Sequence, residues 1–70
     1  MKNLSIENLN TVTYDEAAKE YTLEFNTGED MVYIRVDVDN YPEAATDEWF
    51  WDEEENVKRA VKEAEENGQI

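Results

Sequence analysis

Two residue types that carry much of protein chemistry are missing from this chain: cysteine and histidine. Without cysteine there is no disulfide, no thiolate zinc site, no iron–sulfur ligation and no thiol nucleophile. Without histidine the commonest general base and the commonest transition-metal ligand are gone. The single serine, Ser5, therefore has no relay partner. The only glycines are Gly28 and Gly68, too few for a phosphate-cradling loop. Apolar runs fall far short of the roughly 18 residues that span a bilayer, and the first residues lack the apolar stretch of a signal peptide. These absences predict a soluble, cytoplasmic chain with no cofactor and no metal. Basic residues are scarce as well: 6 against 19 acidic, a net charge of −13. Such a charge repels phosphates and anionic head groups, which predicts no direct nucleic acid and no membrane as partner. The natural partner is a basic protein surface.

What is present is enough for one small domain, 1–70, with a core of about a dozen large side chains and no deep enclosed pocket. High charge favours disorder, but the apolar residues here are periodic, β-branched and aromatic, which argues for a fold. Residues 1–9 read as an irregular arm or a strand extension, and 10–38 as an antiparallel sheet. In that sheet 10–14 is a first strand. Residues 20–26 alternate strictly, with Tyr21, Leu23 and Phe25 opposed to Glu20, Thr22 and Glu24. Residues 31–38 alternate again, with Val32, Ile34, Val36 and Val38 opposed to Met31, Tyr33, Arg35 and Asp37. The five residues between the two runs contain Gly28 where a positive φ is wanted, so they close a hairpin.

Residues 39–51 form an acidic, aromatic crossover in which Pro42 stops any strand. A helix then runs to 67 and ends at Gly68, which suits a left-handed cap. Its start has two readings. An unbroken helix from Asp47 would put Glu53 inside the apolar arc of Phe50, Val57, Val61 and Ala64. A start at Asp52 avoids this and suggests a capping box of Asp52 with Glu55. Trp49, Phe50 and Trp51 would then be extended or a single turn against the sheet. The fold class is α+β: a three-stranded antiparallel meander with one C-terminal helix packed on one face, in two layers. The expected core is Val12, Tyr14, Tyr21, Leu23, Phe25, Val32, Ile34, Val36, Val57, Val61 and at least one tryptophan. Along the helix Glu54–Lys58, Glu55–Arg59 and Lys62–Glu66 are spaced for i,i+4 pairs.

Charge is distributed unevenly. From 37 to 55 there are nine acids and no base: Asp37, Asp39, Glu43, Asp47, Glu48, Asp52, Glu53, Glu54 and Glu55. Self-repulsion among them opposes folding, so a role outside the fold is expected. At about 3.3 Å per strand residue, Asp37 and Asp39 would stand roughly 6.6 Å apart, which with helical i,i+3 and i,i+4 spacings approximates a phosphate track. An EF-hand reading of 37–48 fails, because Tyr41 takes a ligand position and Pro42 the place of the obligatory glycine. Paired carboxylates do acid–base work only where an apolar cleft raises one pKa, so a solvated cluster predicts no enzyme.

On size, charge, lack of cysteine and the α+β pattern, with the acids of 37–55 carrying the likeness, the chain resembles the small acidic phage-encoded inhibitors of host defence. These are the anti-CRISPR proteins and anti-restriction DNA mimics. That resemblance implies competitive occupation of an Arg/Lys-lined nucleic-acid groove in a bacterial host cell. The expected contact set is Tyr33, Asp37, Asp39, Glu43, Asp47, Glu48, Trp49, Asp52 and Glu53, with the chain a monomer or weak homodimer. The alternative is a structural or adaptor domain, dimeric through a sheet edge or the 49–51 aromatics, whose acidity serves solubility alone.

Overall fold

A computed structural model describes residues 4–42 and 46–70. Three strands, β1 (Leu9–Asp15), β2 (Glu20–Asn26) and β3 (Met31–Asp37), form an antiparallel sheet in the order β1-β2-β3. A 3-10 turn over Val38–Asn40 follows, then a single helical turn α1 (Trp49–Asp52) and the helix α2 (Glu54–Glu66). This is the meander with a C-terminal helix that the periodicities predict.

Alternation decides which strand face is buried. Tyr21, Leu23 and Phe25 of β2 and Ile34 and Val36 of β3 point into the core, while Met31, Tyr33, Arg35 and Asp37 face outward. The β2–β3 loop needs its glycine: Gly28 has φ +89, and its N–H donates to Asn26 Oδ1 at 2.9 Å. At the other hairpin Asp15 Oδ1 accepts from the Ala18 N–H at 3.1 Å, and Lys19 takes a left-handed φ of 55. The Lys19 carbonyl then accepts from the N–H of Val38, tying that hairpin to the end of β3 at 3.0 Å. Ahead of β1, residues 5–9 make a turn whose neighbours Leu4 and Leu9 are both buried.

The helix buries Val57, Ala60, Val61 and Ala64, an i, i+3, i+4, i+7 stripe. It ends in a Schellman turn: the Gly68 N–H bonds the Glu65 carbonyl at 3.1 Å and the Gln69 N–H bonds the Ala64 carbonyl at 2.9 Å, with Gly68 at φ +76. That reversal carries Gln69 to the outer edge of β3. There its side-chain amide accepts from the Arg35 N–H at 2.8 Å and donates to the Arg35 carbonyl at 2.7 Å. Two residues along, Glu63 accepts from the Asp37 N–H at 3.3 Å. The C-terminal half of the β3 edge, at Arg35 and Asp37, is thus covered by side chains of α2 and its C-terminal turn.

Several expectations need correction. Strand β3 ends at Asp37, not Val38, because the Asp37 carboxylate accepts from the Asp39 N–H at 2.9 Å and starts the 3-10 turn. The unbroken helix from Asp47 is not seen; Trp49–Asp52 is the single turn that the second reading allowed, and the helix proper starts two residues later than that reading placed it. Asp52 closes α1, Glu53 breaks the helix at φ −145 and ψ 145, and no side chain caps α2. The Asp52–Glu55 capping box is therefore absent. Instead, Asn56 Nδ2 donates to the Trp49 carbonyl at 2.7 Å, satisfying a group left open by the break. The i,i+4 ion pairs do not form between described residues; Lys58 pairs with Glu55 at i,i+3, 3.8 Å away. Val12 is only half-buried and Tyr14 is 47% exposed, because α2 lies against β3 and leaves the inner face of β1 partly open beyond Leu9. Val32 is half-buried too, while Leu4, Leu9, Tyr41, Phe50, Ala60 and Ala64 complete the core.

A candidate acidic docking surface

The end of β3 and the crossover are pinned to α2 by two residues. Glu63 Oε1 accepts from Asn40 Nδ2 at 3.2 Å and from the Tyr41 hydroxyl at 3.3 Å. Arg59 donates to the Asn40 carbonyl, and its guanidinium lies 4.8 Å from the centroid of the Tyr41 ring. Burial first, then the Glu63 carboxylate, pushes the Tyr41 phenol well above its ordinary range. The basic group of α2 nearest the acidic crossover is thus committed to the backbone and an aromatic ring.

Beneath the crossover is an aromatic cluster. The Phe50 ring lies 5.0 Å from Trp49, 5.1 Å from Tyr21 and 5.4 Å from Tyr41. These are tilted and edge-to-face arrangements, which the ring quadrupoles favour. The single turn of α1 fixes which aromatics go inward. Phe50 is fully buried, Trp49 is half-buried against Tyr41 at 5.6 Å, and Trp51 is turned outward and 42% exposed. The solvent-facing aromatic of the acidic segment is therefore Trp51, and Trp49 mainly packs.

Around Trp51 the sequence supplies acids on both sides. Asp47 and Glu48 precede α1, Asp52 ends it, Glu53 is the break, and Glu54 and Glu55 open α2; all six are exposed. Glu54 and Glu55 sit at the positive end of the α2 dipole. Asp37 and Asp39 are exposed as well, at the end of β3. Glu43 lies outside the described residues. Eight of the nine acids are therefore placed, all at the surface, and Glu55 with Lys58 is the ion pair formed between described residues. Asp37 and Asp39 do not stand as an extended strand pair: the chain turns between them and one caps the other's N–H.

Tyr33 is separated from this group. It is 57% exposed on the outer sheet face, opposite Glu24 on β2, whereas α1 lies on the inner side against Tyr21. Its phenol hydrogen-bonds Glu24, which raises the phenol pKa. Glu24 also accepts from Asn10 Nδ2 at 2.7 Å and Thr11 Oγ1 at 3.0 Å, and these bonds hold its carboxyl below the usual range.

A shallow depression of about 500 Å³ lies beside this segment, lined by Asn40, Arg59, Lys62, Glu63, Glu66 and Asn67. Its lining mixes both signs of charge and offers no apolar cleft. Among the described residues no three carboxylates converge as a metal cage would require, and no helix is long and apolar enough to cross a membrane. No protein-family model matches the chain, and no curated protein or solved structure is similar to it. Sequence reasoning missed the organising roles of Arg59 and Glu63. Helical spacing assigns Arg59 to Glu55, whereas its partner, Asn40, is 19 residues away and joined only by the fold.

Proposed function

We infer that the chain is a non-catalytic binding module that occupies the Arg/Lys-lined nucleic-acid groove of a basic protein and inhibits it by presenting carboxylates where phosphates would sit. The observation that supports this reading is the surface from Asp47 to Glu55. Six exposed carboxylates flank the exposed indole of Trp51; Glu55 among them pairs with Lys58, and the nearby Arg59 is turned onto Asn40 and Tyr41. Carboxylates of this kind steer a basic partner and speed encounter. An exposed tryptophan inside a polar rim is the residue type that most often anchors an interface. Asp37 and Asp39 extend the charge toward the end of β3.

The test is competition. A restriction enzyme, a nuclease and a CRISPR effector are each bound to labelled duplex, and the chain is titrated in. Release of the duplex from at least one is expected, with affinity falling at least about tenfold between roughly 50 and 200 mM salt. The variant Asp39→Asn, Glu48→Gln, Asp52→Asn, Glu53→Gln should lose most of this effect. Trp51→Ala should weaken it by a factor of about ten or more. Release that ignores both salt and the amide substitutions overturns the mechanism.

A further inference from the structure

The two edges of the sheet are treated differently. On the C-terminal half of β3 both outward backbone groups of Arg35 are taken by Gln69, and the N–H of Asp37 by Glu63. On β1 the register sets the direction of each residue. Because Arg35 and Asp37 point away from β2, their neighbours Ile34 and Val36 point toward it, opposite Leu23 and Tyr21. Leu23 and Tyr21 then turn their backbone groups to β3, and Thr22 and Glu24 turn theirs to β1, opposite Thr13 and Thr11. The N–H and C=O groups of Val12 and Tyr14 therefore lie on the outer edge of β1. The same strand has its inner face partly open, with Val12 half-buried and Tyr14 47% exposed.

Charge says what can come there. Residues 8–14 are the longest uncharged run in a chain of net charge −13. Two copies meeting at almost any other surface oppose carboxylate to carboxylate; at β1 they oppose threonine, valine and tyrosine. An uncharged strand has no means of selecting a basic partner, but it is self-complementary. Antiparallel pairing about Thr13 sets Val12 of one copy against Tyr14 of the other, twice, so that all four outward N–H groups find carbonyls. Asp15 then faces Thr11 of the mate, clear of the other Asp15. Each inner row continues into the other, covering the two exposed Tyr14 rings. The Asn10 bulge, where the β1–β2 register shifts, lies outside this central pairing.

We propose that β1 is a self-association edge, and that two copies join through it into one six-stranded antiparallel sheet. This does not rest on the inhibitor reading, and the two have opposite salt dependence. Bringing together two bodies of charge −13 is opposed by repulsion, so screening strengthens the dimer, whereas it weakens binding to a basic groove. The contact is one strand wide, at the low end of specific interfaces, so a dissociation constant of about 1–100 μM is expected.

Sedimentation velocity of the full chain up to about 500 μM, above that range, at low and high salt is the test. A monomer–dimer equilibrium that shifts to dimer with concentration and with salt is expected. Thr13 faces its own copy across the axis at a close, non-hydrogen-bonded position, with Cα atoms about 4.5 Å apart. Its side chain is exposed in the single copy, so replacing it leaves the core alone. Thr13→Lys and Thr13→Glu should each be monomeric, and their equal mixture should dimerise again. The first lowers the net charge and the second raises it, so their shared loss cannot come from net charge. In hydrogen exchange the Val12 and Tyr14 amides should gain protection with concentration, while those of Thr11 and Thr13 are protected throughout. A monomer under every condition overturns the proposal. So does a dimer that both Thr13 variants leave intact.

Discussion

Replacing Phe50 with alanine should cost about 3–5 kcal/mol. The ring is fully buried and stands within 5.0 to 5.4 Å of the Trp49, Tyr21 and Tyr41 rings. Removing it both withdraws apolar area and leaves a cavity among three large side chains that cannot collapse into it without leaving their own partners. Aromatic pairing adds about 0.5–1.5 kcal/mol per pair beyond area, which places this site toward the upper end of the range. For 70 residues the whole stability is of order 4–10 kcal/mol, so Phe50→Ala removes roughly 30% of it or more and unfolds a chain at the lower end. Phe50→Leu keeps most of the volume and should cost about 1–1.5 kcal/mol, which keeps the transition measurable. Trp51→Ala gives the contrast: with 42% of the residue already in water, its loss should be roughly half that of Phe50→Ala. Urea unfolding followed by far-ultraviolet circular dichroism reads all three, with unchanged denaturant slopes confirming one native state. If Trp51→Ala proves as costly as Phe50→Ala, the inward and outward assignment of the aromatic turn is wrong.

Three further outcomes are expected. Gly68→Ala, at φ +76, should lose about 1 kcal/mol through backbone strain. Gln69→Ala should lose about 0.5–1.5 kcal/mol for each of its two bonds to Arg35, and in both variants the Arg35 amide should exchange faster with solvent; unchanged exchange in Gln69→Ala would remove the edge clamp from the account. Alkaline stability follows from Tyr41 and Tyr21, whose phenols are raised mainly by burial. A folded-state pKa above the unfolded value of about 10 means their stabilisation is complete below pH 10 and lost as pH climbs through the folded values. Tyrosinate absorbance should therefore rise late and together with unfolding, and Tyr41→Phe should flatten that pH dependence.

Local pattern and tertiary structure decided different things in this protein. A period of two in 20–26 and 31–37 can be satisfied only by strands with one face in the core, and a glycine needing positive φ between them closes the hairpin; both are visible in the chain alone. So are the apolar stripe of Val57, Ala60, Val61 and Ala64 and the left-handed stop at Gly68. The composition likewise dictates the net charge of −13. Neighbour-to-neighbour patterns could not say where the helix would lie. Because α2 settles against β3, Val12 is left half-buried and Tyr14 exposed although their period marks them as core. Nor could they choose among Trp49, Phe50 and Trp51, three consecutive aromatics with no period of their own; the break at Glu53 rotates one turn so that the middle ring enters and the last one leaves. Arg59 turning to Asn40 and Gln69 closing on Arg35 join residues 19 and 34 apart. Such contacts depend on the chain's path through space, and spacing along the sequence carries no trace of them.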